Sequence, residues 1–123
     1  MNTYGTLLAV DDNAAILTAL RYTLEDTFSD IVTLSKPDDI LKTMAQHPVE
    51  LVLLDMNFTL GVNTGQDGLM WLRTIKKHHP QVPVVLLTAY ADVQLAVKGL
   101  KSGAADFIVK PWDNDELVYK LKE

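Results

Sequence analysis

Five short apolar runs punctuate the chain: Leu7–Val10, Ile31–Leu34, Leu51–Leu54, Val84–Leu87 and Phe107–Val109. Three of them are nearly all leucine or β-branched residues, the mark of strands covered on both faces in a parallel sheet. Thr33 interrupts the second run, which suits an edge strand. The stretches between the runs carry helical period. Leu17, Leu20, Leu24 and Phe28 recur at helical spacing, with Asp12 or Asn13 placed as N-cap. Pro37-Asp38-Asp39 suits a first helical turn, followed by an inner face of Ile40, Leu41 and Met44. Leu69, Leu72 and Ile75 form a third stripe that ends in Lys76, Lys77, His78 and His79 before Pro80. Val93, Ala96, Val97 and Leu100 form a fourth, stopped at Gly103. Leu117, Val118 and Leu121 form a fifth, behind Asp113 or Asn114. Strand and helix alternate five times. The pattern predicts a doubly wound α/β fold, a five-stranded parallel sheet with five helices and right-handed crossovers.

In such sheets ligands sit at the carboxyl ends of the strands, beside the point where strand order reverses. The residues that follow each strand therefore matter most. Asp11 and Asp12 follow the first, Asp55 and then Asn57 the third, Thr88 the fourth, and Lys110-Pro111 the fifth. Three carboxylates, a hydroxyl and an ammonium converge on one rim. Crowded carboxylates resist ionising together unless a cation compensates. A lysine supplies one positive charge, and a hard divalent ion such as Mg²⁺, which prefers carboxylate, carbonyl and water oxygens, supplies the rest. A carboxylate beside two such cations can attack phosphorus, because they neutralise charge on the transferring oxygens. Each residue alone has a plainer explanation: Asp11-Asp12 as helix caps, Asp55 as a polar strand end, Thr88 as a turn residue, Lys110 as a surface lysine. Their joint placement after the appropriate strands argues for phosphoryl transfer with an aspartate as nucleophile.

Composition narrows this only slightly. The 123 residues suit one domain spanning 1–123, and 48% apolar with 22% charged residues is ordinary for a globular chain. The net charge of −5 argues against direct nucleic-acid contact by this segment. No cysteine is present, which excludes thiolate metal sites and fits a reducing compartment. The first apolar run is too short for a signal peptide or a spanning helix, so the expected location is cytoplasmic, with no membrane partner. His47, His78 and His79 are read as ordinary polar residues, the last two complementing a helix C-terminus.

The segments LLAVDD (7–12), LVLLDMN (51–57), VVLLTAY (84–90) and GAADFIVKPW (103–112) resemble the response-regulator receiver family over essentially the whole chain. The resemblance implies the flavodoxin-like strand order 2-1-3-4-5 and a phosphoacceptor switch of two-component signalling rather than an enzyme. It implies Asp55 as phosphoacceptor, and Asp11, Asp12, Asp55 and the Asn57 backbone carbonyl around Mg²⁺. Lys110 would contact the phosphoryl oxygens and Thr88 would move towards them. Met56, Asn57 and Ala89 would cradle them through backbone N–H groups, and Phe107 would be the switch aromatic. Asn57 and Tyr90 occupy positions that tune dephosphorylation in the family. A sensor histidine kinase would be the phosphodonor. The face of helix four, strand five and helix five would meet an output domain or downstream protein, with homodimerisation on phosphorylation.

One departure stands out: Asp55 reaches Asp67-Gly68 through a long stretch, Met56 to Gln66, with Phe58-Thr59 where the family has Met-Pro. This insertion and Trp71 resemble receivers of nitrogen-regulation-type transcriptional activators. Two rival chemistries fit less well. A phosphatase of the haloacid-dehalogenase type needs a proton-donating carboxyl two residues beyond its nucleophile, where Asn57 stands. A flavin carrier needs a phosphate cradle after the first strand, where Asp11-Asp12 would repel phosphate. The short fifth helix, Asp113 to Glu123, is expected to belong to a larger regulator.

Overall fold

The alternation of apolar runs and amphipathic stretches resolves into β1 (Tyr4–Val10), α1 (Ala14–Leu24), β2 (Phe28–Leu34), a 3₁₀ turn at Pro37–Asp39, α2 (Ile40–Gln46), β3 (Val49–Asp55), α3 (Gln66–His78), β4 (Val84–Ala89), α4 (Val93–Lys101), β5 (Asp106–Lys110) and α5 (Asn114–Lys122). The computed structural model describes residues 4–56, 66–89, 93–110, 112 and 114–122. All strand pairs are parallel and the order is β2-β1-β3-β4-β5, as expected. Thr33 lies in an edge strand, since β2 pairs only with β1. Among the described residues no helix is long and apolar enough to cross a membrane.

The two-residue period of the strands divides the core. Leu8, Val10, Val52, Leu54 and Leu86 pack with Ile40, Met44, Leu69, Leu72, Ile75 and Ala96 from α2, α3 and α4. Leu7, Ala9, Leu51, Leu53, Leu87 and Ile108 face the other way, onto Leu20, Leu24, Leu117 and Leu121 of α1 and α5. The central strands are thus apolar on both sides and offer no solvated face. Each fully buried leucine or isoleucine contributes about 1.5–3 kcal/mol relative to exposure. A sheet held this firmly fixes the positions of its strand ends.

Two helical expectations change. Phe28 does not continue the α1 stripe. The helix ends at Leu24, the Thr27 N–H closes a turn on the Leu24 carbonyl at 2.9 Å, and Phe28 opens β2 while still entering the α1–α5 core. Periodicity alone could not separate a buried residue in the next strand from one more helical position. In α4, Val97 and Leu100 were expected inside, but they are 42% and 37% exposed, while Ala96 and Gly99 face inward. A Cβ on Gly99 would run into Leu86 and come within 3.6 Å and 3.7 Å of Leu69 and Leu72. The missing side chain lets α4 lie close to β4 and α3, and that rotation turns the larger residues outward.

The stop at Gly103 is as expected. Its φ is +113°, which favours glycine. The Ala104 and Gly103 N–H groups donate to the Gly99 and Leu100 carbonyls at 3.0 and 3.2 Å, the double closure of a Schellman motif. At the neighbouring helix end, Lys76 Nζ donates to the Pro80 and Val82 carbonyls at 2.9 and 3.1 Å and so ties down the turn into β4. The Gly103→Ala substitution meets nothing closer than Lys76 Cγ at 3.5 Å, so its effect isolates backbone strain. Urea denaturation should show a loss of about 1–2 kcal/mol; an unchanged midpoint would contradict the assigned helix stop.

Candidate functional site

The strand order reverses at β1, which sends its chain first to β2 on one side and later faces β3 on the other. Asp11 follows β1, and Asp55 is the last residue of β3, so the acidic strand ends flank this switch point. Thr88, next to last in β4, pairs in register with Val109, and Lys110 closes β5 opposite Ala89. Asp11, Asp55 and Thr88 are almost wholly buried, whereas Asp12 is exposed.

Lys110 holds the group together. Its Nζ donates to Asp11 Oδ2 at 2.9 Å and to Asp55 Oδ1 at 3.0 Å. β5 lies two strands from β3, about 10 Å at the usual ~4.8 Å spacing, a gap that a long lysine stem and a facing aspartate close together. The Asp11 carboxylate is fixed at both oxygens, because Oδ1 accepts the Asn13 N–H at 2.9 Å. Asp11's own N–H donates to the Leu34 carbonyl at 3.1 Å, anchoring the turn to the end of β2.

The charges do not balance. Carboxylate oxygens of Asp11, Asp12 and Asp55 lie within 4.8 Å of one another, three negative charges set against the single Lys110 ammonium that bridges Asp11 and Asp55 among the described residues. Enclosure of Lys110 pulls its pKa down, but the Asp11 hydrogen bond and the charges of Asp55 and Asp11 more than offset this, so the ammonium is held above its usual range. The Asp12 pKa is also raised, which for a carboxyl disfavours the charged form. Partial loss of water around its carboxyl, together with the charge of Asp11, raises its pKa, with Lys110 opposing more weakly. The donor set is all hard oxygen with a surplus of two negative charges, and it fits a divalent ion of the Mg²⁺ class. Among the described residues no second such cluster occurs, and the histidines do not form one: His78 Nδ1 lies 3.0 Å from the Thr74 carbonyl of its own helix.

Asp11, Asp12, Asp55, Thr88 and Lys110 therefore stand on the expected rim. Phe107 is half-buried against the core beneath α2, α3 and α4. Asn57, Tyr90 and Pro111 lie outside the described residues. The Met56 N–H donates to the Leu87 carbonyl at 3.1 Å and continues the β3–β4 ladder, while its side chain is fully buried. A buried amide next to a paired strand takes the ladder bond because an unpaired one would be costly. Sequence reading left Asn13 only as an alternative helix cap and did not find its amide on Asp11; the signal was an Asn two residues past a buried Asp.

A parallel sheet in 2-1-3-4-5 order, with acidic strand ends at the switch point and a lysine bridging them, defines the signal-receiver class of α/β domains. The chain belongs to the response regulator receiver domain family, whose profile matches residues 7–122. Among solved structures it is similar to the N-terminal signal receiver domain of a two-component response regulator from Bacteroides fragilis, with 48% identity and TM-score 0.89 over 98% of this chain and 95% of that one. It is similar also to the receiver domain of NtrX from Brucella abortus, with 31% identity and TM-score 0.84 over 94% of both chains. Among curated relatives, the DNA-binding transcriptional regulator NtrC of Salmonella typhimurium is 32% identical over 114 residues, which are 93% of this chain and 23% of that protein. The chain spans about a quarter of the length of such relatives. Both resemblances drawn from the sequence, to receivers and to the nitrogen-regulation type, are borne out.

The raised pKa of Asp12 has a definite sign. Folding favours its proton, so its contribution is most favourable below the ordinary value of 3.8. That contribution is lost as pH rises through the folded pKa, and ionised Asp12 opposes folding at neutral pH. The Asp12→Asn chain should therefore be more stable than the parent at pH 7 in chelator, with the difference shrinking towards pH 3. Thermal unfolding at the two pH values checks this; a less stable variant at pH 7 would refute the charge surplus.

Proposed function

We propose that Asp55 accepts a phosphoryl group from the phosphohistidine of a sensor kinase, and that the phosphorylated domain controls an attached or separate output. The bridge from Lys110 to both Asp55 and Asp11 is the observation that supports this reading most strongly. In the step itself an Asp55 carboxylate oxygen forms the new O–P bond, the donor's N–P bond breaks, and the released imidazole keeps the electron pair and takes a proton from solvent. Asp11, Asp12 and Asp55 would hold Mg²⁺, with the Asn57 carbonyl as a further ligand by family likeness. A bound Mg²⁺ would neutralise charge on the transferring oxygens. Lys110 pairs with the Asp55 and Asp11 carboxylates, and its ammonium turns to the phosphoryl oxygens once formation of the acyl phosphate removes the Asp55 carboxylate charge. The Ala89 amide lies at the end of β4, suited to the same oxygens.

Phosphorylation adds charge and acceptor oxygens at the rim, which draws the Thr88 hydroxyl inward and shifts Phe107, biasing a two-state surface over α4, β5 and α5. The exposed Val97 and Leu100 supply apolar surface there, where an output domain or a second copy would dock. Relatives named as DNA-binding transcriptional regulators support transcription control, with DNA contact made outside this segment, in the cytoplasm. The domain assists its own phosphorylation and hydrolysis but does not turn over external substrates.

Incubation with Mg²⁺ and acetyl phosphate should add one phosphoryl group by intact mass. The adduct should be absent in Asp55→Asn and in chelator, with no sustained release of phosphate from a generic phosphate ester. An adduct that persists in Asp55→Asn would defeat the assignment.

A further inference from the structure

Asn13 stands outside the rim yet touches it through its backbone. Its φ and ψ of −95° and 110° are extended, and its side-chain Oδ1 accepts the Ala15 and Ile16 N–H groups at 2.9 and 3.4 Å, capping α1. The Asn13 carbonyl accepts from Ile16 and Leu17 at 3.1 and 3.2 Å, so the residue is bound to the first helical turn from both its side chain and its main chain. In that fixed pose its own N–H points back at Asp11 Oδ1, 2.9 Å away. The other Asp11 oxygen belongs to Lys110.

We infer that Asn13 is a positioning residue for the Asp11–Asp12 pair: its capping amide locks the turn that aims the Asp11 carboxylate and keeps the Asp12 carboxylate out of the capping role. Aspartate is as good an N-cap as asparagine. Without the Asn13 amide, the unsatisfied N–H groups at the start of α1 would recruit the nearest upstream acceptor, the exposed Asp12 carboxylate. That movement would withdraw one of the three clustered carboxylates and release the turn that holds a second. Asparagine also caps without charge, whereas a third aspartate would add to a surplus the site already carries.

This inference rests on the divalent-ion reading of the site given above, and its test separates the two. Mn²⁺ serves as the probe, because the same oxygen ligands accept it. Its affinity is read from the free-ion electron paramagnetic resonance signal, at a temperature where circular dichroism shows every chain folded. The Asn13→Ala chain should bind Mn²⁺ about tenfold more weakly, the low end of what losing a group that orients metal ligands costs. Asn13→Ser, which caps but is smaller, should restore affinity towards that of the parent. Ile75→Val, a destabilising change in the core remote from the rim, should leave it unmoved. Equal affinity in parent and Asn13→Ala, or no rescue by serine, would overturn the positioning role alone. A parent chain that ignores Mn²⁺ would overturn the reading of the site and this inference with it.

Discussion

Buried carboxylates of like charge can share a strand rim only if cations stand among them. Asp11 and Asp55 are nearly sealed from water, and an unpaired ion at either place would cost several kcal/mol. Lys110 resolves the conflict for one charge by reaching across β4 to both oxygens. Asp12, the third carboxylate of the cluster, has its pKa raised first by partial loss of water and then by the charge of Asp11. Three clustered carboxylates beside one bridging ammonium form a group that could hold a metal ion.

The rest of the domain serves to hold that imbalance in place. Central strands with apolar side chains on both faces cannot slide without exposing one core or the other, so the register that puts Asp55 beside Leu87 and Thr88 beside Val109 is strongly fixed. The ends of the helices are fastened in the same spirit. Asn13 caps α1 where it meets the rim, Gly103 closes α4, and Lys76 draws the turn before β4 onto α3. The rigid frame contrasts with the surface of α4, where the close fit of Gly99 leaves Val97 and Leu100 in solvent.

Much of this was legible beforehand because parallel sheets obey simple rules. Apolar runs with their following residues located Asp11, Asp12, Asp55, Thr88 and Lys110 on one rim, and family likeness supplied the strand order and the roles. The misreadings share a cause. Phe28 kept helical spacing with Leu24 although a turn intervenes, and Val97 and Leu100 looked like core because the periodicity weighs hydrophobic size and overlooks a glycine that sets helix approach.

The sequence by itself determined the class of fold and which side chains could do chemistry, since hydrophobic period and strand-terminal residues are local properties of the chain. Only the tertiary structure decided which carboxylate oxygen meets Lys110, which residue caps α1 and thereby steadies Asp11, and which face of α4 turns outward. Those outcomes depend on contacts between residues as far apart as 11 and 110, and on how closely one helix can approach a sheet. Such distances exist only once the chain has folded.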